Sequence, residues 1–155
     1  LGVSKDSQKG VLFTTYASLV ASTNSKDRFS QICNWLGDSN DFDGCLIFDE
    51  CHKAKHFDEK EGKGSKVAKA VVRLQQKFPN ARCVYVSATG VSDINNMAYM
   101  DRLGLWGKGT AFGTFEDFRN SMGKRNMGAL EMLAIELKST GLHVSRGLSF
   151  KDTTF

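Results

Sequence analysis

Two textures alternate along the first ninety residues. Short continuous apolar runs occur at Gly10-Val11-Leu12-Phe13-Thr14, at Gly44-Cys45-Leu46-Ile47-Phe48 and at Arg82-Cys83-Val84-Tyr85-Val86. Each has the length and the branched or aromatic content of a buried strand. Between them the apolar positions recur at helical spacing. Phe29, Ile32, Cys33, Trp35 and Leu36 predict one helix, capped by Ser25 or Asp27 and stopped by Gly37. Ser65 to Phe78 predicts another. Val67, Ala70, Val71, Leu74 and Phe78 share its apolar face, with Lys66, Lys69, Arg73 and Lys77 opposite and Pro79-Asn80 ending it. Residues 38–43 and 56–66 read as exposed turns and loops. The order strand, helix, strand, helix, strand predicts an α/β fold, a mainly parallel sheet with helices on both faces.

The remainder is less regular. Thr114 is placed to cap a helix through Phe115 and Phe118, and Asn126 to cap one from Met127 to Thr140. That last helix carries Leu130, Leu133, Ala134 and Leu137 on the face expected to cover the sheet, and Gly141 is its stop. Leu142, Val144, Leu148 and Phe150 alternate as a final strand would. No internal repeat is present.

A chain of 155 residues with 41% hydrophobic and 25% charged residues suits one globular domain. No apolar run approaches membrane-span length, and no signal peptide is visible, so a membrane is not an expected partner. The chain opens on Leu1 and closes on Thr154-Phe155, and it is expected to be a piece of a longer protein. Cys33, Cys45, Cys51 and Cys83 show no CxxC spacing and read as reduced, small apolar residues. A net charge of +4 is too weak a balance to indicate a nucleic-acid partner by itself.

The chemistry gathers where the second apolar run enters Asp49-Glu50-Cys51-His52. In a parallel sheet, ligands sit beyond the carboxyl ends of the strands. A carboxylate held there can order Mg²⁺ through water, and a second acid beside it can polarise an attacking water. Nucleotide hydrolysis needs that pair. The next run ends in Ser87-Ala88-Thr89, whose hydroxyls would lie beside the acids. Two such endings, separated by one amphipathic helix, make a plain strand-end turn a poor account of both. Residues 44–48 and 82–86 are therefore expected to be adjacent parallel strands, with Asp49 and Ser87 side by side.

Asp49-Glu50-Cys51-His52 is similar to motif II of the DExH-type superfamily 2 helicases, and Ser87-Ala88-Thr89 to their motif III. Val11-Leu12-Phe13-Thr14-Thr15-Tyr16-Ala17-Ser18-Leu19 resembles the segment that precedes motif II in related ATPases. More narrowly, Phe48-Asp49-Glu50-Cys51-His52-Lys53-Ala54-Lys55 resembles the strawberry notch family. So do residues 85–107, from Tyr85-Val86-Ser87-Ala88-Thr89-Gly90 to Leu105-Trp106-Gly107, and Leu142-His143-Val144-Ser145-Arg146-Gly147-Leu148. The likeness covers nearly the whole chain. It implies a helicase-like nuclear transcriptional co-regulator, linked to Notch signalling in animals, with an ATPase core of two RecA-like lobes. Residues 1–155 would be part of one such lobe. ATP and Mg²⁺ would be its cofactors, and DNA or RNA together with transcription or chromatin proteins its partners. By the resemblance Asp49 would hold Mg²⁺, Glu50 would activate water, and His52 would couple the nucleotide to the other lobe. Ser87 and Thr89 would link hydrolysis to nucleic acid, and Thr15 and Tyr16 would line the nucleic-acid side.

The departures bear on what the chain does alone. The phosphate-cradling GxxxxGK[ST] is absent. Gly62-Lys63-Gly64-Ser65-Lys66 and Gly107-Lys108-Gly109-Thr110 lack its spacing. In the family that loop and its strand would lie upstream of Leu1 and the second lobe beyond Phe155. The piece alone is expected to be inactive, with one sheet edge exposed. The alternative reading of the whole is a non-catalytic scaffold for transcription or chromatin factors. A zinc site from His52 and His56 with Cys51 or Glu50 lacks a second ligand pair. Cys51 is expected to be buried rather than reactive. The basic row on residues 66–77 reads as a solvated helix face, with phosphate contact the alternative, and Lys124-Arg125 and Arg146 have the same status. Phe112, Phe115 and Phe118 read as core rather than as a stacking platform for bases.

Overall fold

The computed structural model describes residues 10–23, 26–55, 57–58, 63–88, 94–123 and 127–145. Its centre is a pair of parallel strands, β3 (Cys45–Phe48) and β6 (Arg82–Tyr85), in register Cys45↔Arg82 through Phe48↔Tyr85. The backbone pairing runs on past both ends, through Arg82 N–H to Gly44 O at 2.8 Å and Val86 N–H to Phe48 O at 2.9 Å. Short antiparallel pairs flank the fold. β1 (Ser22–Thr23) pairs with β2 (Lys26–Asp27), and β4 (Phe57–Asp58) with β5 (Lys63–Gly64).

The helices begin and end where local chemistry directs. A single turn, α1 (Tyr16–Leu19), starts at Thr15, whose hydroxyl accepts from Ser18 N–H at 3.0 Å. Asp27 caps α2 (Arg28–Leu36), accepting from Phe29 and Ser30 N–H, and Gly37 ends it at φ +92°. Ser65 caps α3 (Lys66–Lys77) by accepting from Ala68 N–H. Thr114 and Asp117 exchange hydrogen bonds at the start of α4 (Phe115–Gly123), Thr114 N–H donating to Asp117 Oδ2 and Asp117 N–H to Thr114 Oγ1. α5 (Met127–Ser139) is closed by Gly141 at φ +75°, with Leu142 N–H returned to Leu137 O. Turns of 3₁₀ helix occupy Cys51–Ala54, Ile94–Met97 and Asp101–Leu103. Ser25 and Asn126 lie outside the described residues.

Alternation along β3 and β6 decides where the core sits. Leu46 and Phe48 are buried, with Cys83 and Tyr85 packed against the same cluster as Phe29, Val71, Leu74 and Phe78. The opposite face carries Cys45, Ile47, Arg82, Val84 and Val86, all exposed; Ile47 is 66% exposed. Cys45 is thus on the open side rather than in the core. The same core continues into a group of rings, where Trp106 packs edge-on to Phe115 at 4.9 Å and against Phe118 at 5.3 Å, with Phe112 edge-on to Phe118. These rings are core, as their spacing indicates.

One expected strand is not formed, and the second half of another lies outside the described residues. Residues 11–15 are irregular, with Val11 79% and Phe13 90% exposed. An apolar run becomes a strand only when a ladder partner and a covering layer meet it, and among the described residues the parallel sheet has two strands. Residues 142–145 are likewise irregular, and 146–150 lie outside the described residues. On α5, Leu137 is buried and Leu130 and Leu133 pack on the core, while Met132 and Ile135 remain exposed.

Candidate functional site at the ends of the paired strands

Parallel pairing in register brings the two strand ends together. Phe48 and Tyr85 are partners, so Asp49 and Ser87 follow at the same edge of the sheet. Cys51 N–H donates to Val86 O at 2.9 Å, clamping the turn after β3 onto the end of β6.

The turn itself is unusual. Glu50 has φ +49° and ψ +45°, the one non-glycine residue with positive φ among those described. A left-handed residue with a side chain costs about 1–2 kcal/mol. The cost is met locally by three hydrogen bonds that backbone N–H groups donate. Glu50 N–H donates to Asp49 Oδ1 at 3.0 Å, Lys53 N–H to Glu50 O at 3.0 Å, and the Cys51 clamp holds the far side. The conformation opens the 3₁₀ turn Cys51–Ala54 and sends His52 back over the acids.

His52 Nδ1 lies 3.2 Å from Glu50 Oε2 and 3.1 Å from Ser87 Oγ. A carboxylate can only accept, so the pairing with Glu50 requires a proton on Nδ1. One imidazole edge therefore joins the end of β3 to the end of β6. Asp49 is exposed, and its Oδ2 has no protein partner among the described residues.

Below the acids lies a layer of hydroxyls and one thiol. Tyr16 Oη donates to Asp49 O at 2.8 Å, tying α1 to the turn. Burial pushes the Tyr16 hydroxyl up to about 12, helped by the neighbouring Cys51, Asp49 and Glu50, so it stays a neutral donor. Cys51 is buried, and burial raises its thiol, partly offset by a hydrogen bond with Tyr99. Tyr99 is raised for the same first reason. Gln75, wholly buried on α3, donates to Tyr99 O at 2.8 Å and accepts from Tyr85 Oη. Arg102 donates to Pro79 O and to Ala81 O at 2.8 Å, fastening the segment after β6 to the end of α3.

Asp49, Glu50, His52 and Ser87 thus converge. Thr89 and His56 lie outside the described residues. Thr15 spends its hydroxyl on its own helix, and Tyr16 reaches the acidic turn. Sequence reasoning missed Gln75, Tyr99 and Arg102. Gln75 had one available signal: it falls between Val71, Leu74 and Phe78 on an otherwise apolar face. No group of three or more potential metal ligands occurs among the described residues, and no helix among them is long and apolar enough to cross a membrane.

The protein-family profile described as P-loop containing NTP hydrolase pore-1 matches residues 2–155. Curated relatives match over nearly the whole chain. Protein strawberry notch of Drosophila melanogaster is 48% identical over 159 residues, covering 99% of this chain and 10% of its own length. Human protein strawberry notch homolog 1 is 48% identical over 153 residues, 96% of this chain and 11% of its own. Protein FORGETTER 1 of Arabidopsis thaliana is 47% identical over 150 residues, again 96% and 11%. The chain therefore spans about a tenth of the length of these relatives. No solved structure matches it.

Proposed function

The chain belongs to the strawberry notch family and carries a P-loop NTP hydrolase domain, and from that premise we propose that it supplies the hydrolytic half of a nucleotide site in a helicase-like ATPase. The observation that carries this is the convergence of Asp49, Glu50, His52 and Ser87 at the paired ends of β3 and β6.

Each residue takes the role its surroundings allow. Glu50 is the general base or orienter of water, its carboxylate aimed by the left-handed turn and steadied by His52. His52 reports between the acids and Ser87, since a shift of either strand end breaks one of its two contacts. Thr89 would extend that link. Tyr16 and Cys51 hold the turn from below. A divalent cation bound with the nucleotide would neutralise phosphate charge. Asp49 fits such an ion: one exposed carboxylate with an uncommitted oxygen suits Mg²⁺, which keeps most of its waters. The phosphate cradle must come from outside residues 1–155, because no GxxxxGK[ST] occurs within them. The open face bearing Ile47, Val84 and Val86 is where further layers of the lobe would pack. In this reading the whole protein is a nuclear, nucleic-acid-dependent ATPase acting with transcription or chromatin proteins.

The test is ATP turnover, with and without nucleic acid, by the full-length protein and its Glu50→Gln variant. Turnover in the parent that falls at least about 100-fold in the variant, with ATP binding retained, supports the reading. No turnover in a folded parent makes the acids a remnant on a scaffold.

A further inference from the structure

α3 is closed in on most sides. Ala68, Ala70, Val71, Val72, Leu74 and Gln75 are buried, and Val67 packs against the core. What remains open is Lys66, Lys69, Arg73, Gln76 and Lys77. The solvent strip of the helix is therefore four cations and one amide, with no acid and no apolar side chain.

Helix stability does not account for that composition. Like charges four residues apart, as in Lys69/Arg73 and Arg73/Lys77, oppose the helix by about 0.2–0.5 kcal/mol per pair. Lys66 stands in the first turn, where the helix dipole disfavours a cation. A strip serving solubility alone mixes both signs. No acidic side chain pairs with Lys66, Lys69, Arg73 or Lys77 among the described residues. Asp27, the cap of the adjoining α2, spends its carboxylate on Phe29 and Ser30. Arg73 is also pre-positioned. Its guanidinium carbon lies 4.6 Å from the centroid of the Phe29 ring, a stacking that holds the plane while leaving its N–H donors available.

We propose that Lys66, Lys69, Arg73 and Lys77 form a ridge that seats the sugar-phosphate backbone of a nucleic acid. The row runs the 12 residues from Lys66 to Lys77, about 16 Å at the helical rise, with a cation on nearly every turn. Evenly spaced charges on long stems match evenly spaced phosphates and carry no sequence preference. An acidic protein partner fits less well, because such interfaces are built round an apolar core and this strip has none. The ridge shares no residue with the Asp49–Ser87 arrangement, and the proposal does not rest on the nucleotide reading.

The experiment is fluorescence anisotropy of the full-length protein on a labelled 20-base-pair DNA duplex, without nucleotide, over a salt series. Each phosphate contact contributes about 0.9 to the slope of log K against log salt. The Lys69→Gln/Arg73→Gln/Lys77→Gln variant is expected to weaken binding and flatten that slope by about 2–3. Because Arg73 also packs on Phe29, the Lys69→Gln/Lys77→Gln variant is the control for folding, with an expected loss of about 2 in slope. Lys69→Arg/Lys77→Arg should retain the parent slope. Unchanged slopes in both Gln variants, or a parent that does not bind the duplex, overturn the ridge. Binding of an acidic peptide that alone depends on these residues does the same.

Discussion

Replacing Gln75 by Met tests whether the layer under the acids is a connected hydrogen-bonded unit. The exchange keeps side-chain length and apolar packing, so the change is chiefly electrostatic. Gln75 is 0% exposed; its amide donates to Tyr99 O at 2.8 Å and its carbonyl accepts from Tyr85 Oη. Val71 O, the third partner, retains its helical bond. The Tyr99 carbonyl loses its partner, and the Tyr85 hydroxyl loses its acceptor while still accepting from Arg102 N–H. A buried orphan costs about 1–3 kcal/mol, so Gln75→Met should destabilise by about 2–6 kcal/mol. Tyr85→Phe leaves Gln75 Oε1 without its donor and Arg102 N–H without its acceptor, and should cost about 2–6 kcal/mol. The double variant leaves Tyr99 O and Arg102 N–H unpaired but neither a Tyr85 hydroxyl nor Gln75 Oε1, so it should be more stable than the sum of the singles by about 2–6 kcal/mol. Urea unfolding of the shortest cooperative polypeptide carrying this chain, with m values compared, is the assay. Additivity within about 0.5 kcal/mol would show that Tyr85 and Gln75 do not act as a pair, and would refute the network.

Arg102→Ala removes donors to Pro79 O and Ala81 O and should cost about 1.5–3 kcal/mol in the same unfolding assay, with Lys a poor substitute for the fork. Tyr16→Phe deletes the bond to Asp49 O, worth about 1 kcal/mol. If that bond aims the acids, ATP turnover of the full-length protein should fall about fivefold with little change in KM. Stability should decline in alkali, because burial raises Cys83 to about 11 and Tyr16 to about 12 above their ordinary 9.0 and 10.0. The folded state holds these protons longer than the unfolded one, so the contribution is intact below pH 9 and lost as pH rises toward 12. Urea midpoints across that range would show it, and a flat profile would contradict it. Exposed Cys45 should alkylate rapidly in the native state, whereas buried Cys33 and Cys51 should react only on unfolding.

The parallel pair was legible because Cys45–Phe48 and Arg82–Tyr85 are apolar runs joined through a helix with matching caps, and one crossover leaves few arrangements. Asp49 and Ser87 could be placed together for the same reason. The run at 10–14 misled because hydrophobicity signals burial without naming the partner that provides it. Cys45 misled likewise: both faces of β3 are apolar, and only the structure shows that one lies open. The left-handed turn at Glu50 leaves no trace in composition, since glycine is the usual sign of positive φ. Gln75, Tyr99 and Arg102 escaped notice because their partners are backbone carbonyls and hydroxyls brought together only by the fold.

The proposed function requires the ends of β3 and β6 to form one nucleotide-hydrolysing site. A structure of the full-length protein with Mg²⁺ and a non-hydrolysable ATP analogue tests this most directly. The terminal phosphate is expected to face Glu50, with the ion's waters on Asp49 and His52 still bridging Glu50 to Ser87. Nucleotide bound elsewhere, with Asp49 and Glu50 facing bulk solvent, would contradict it.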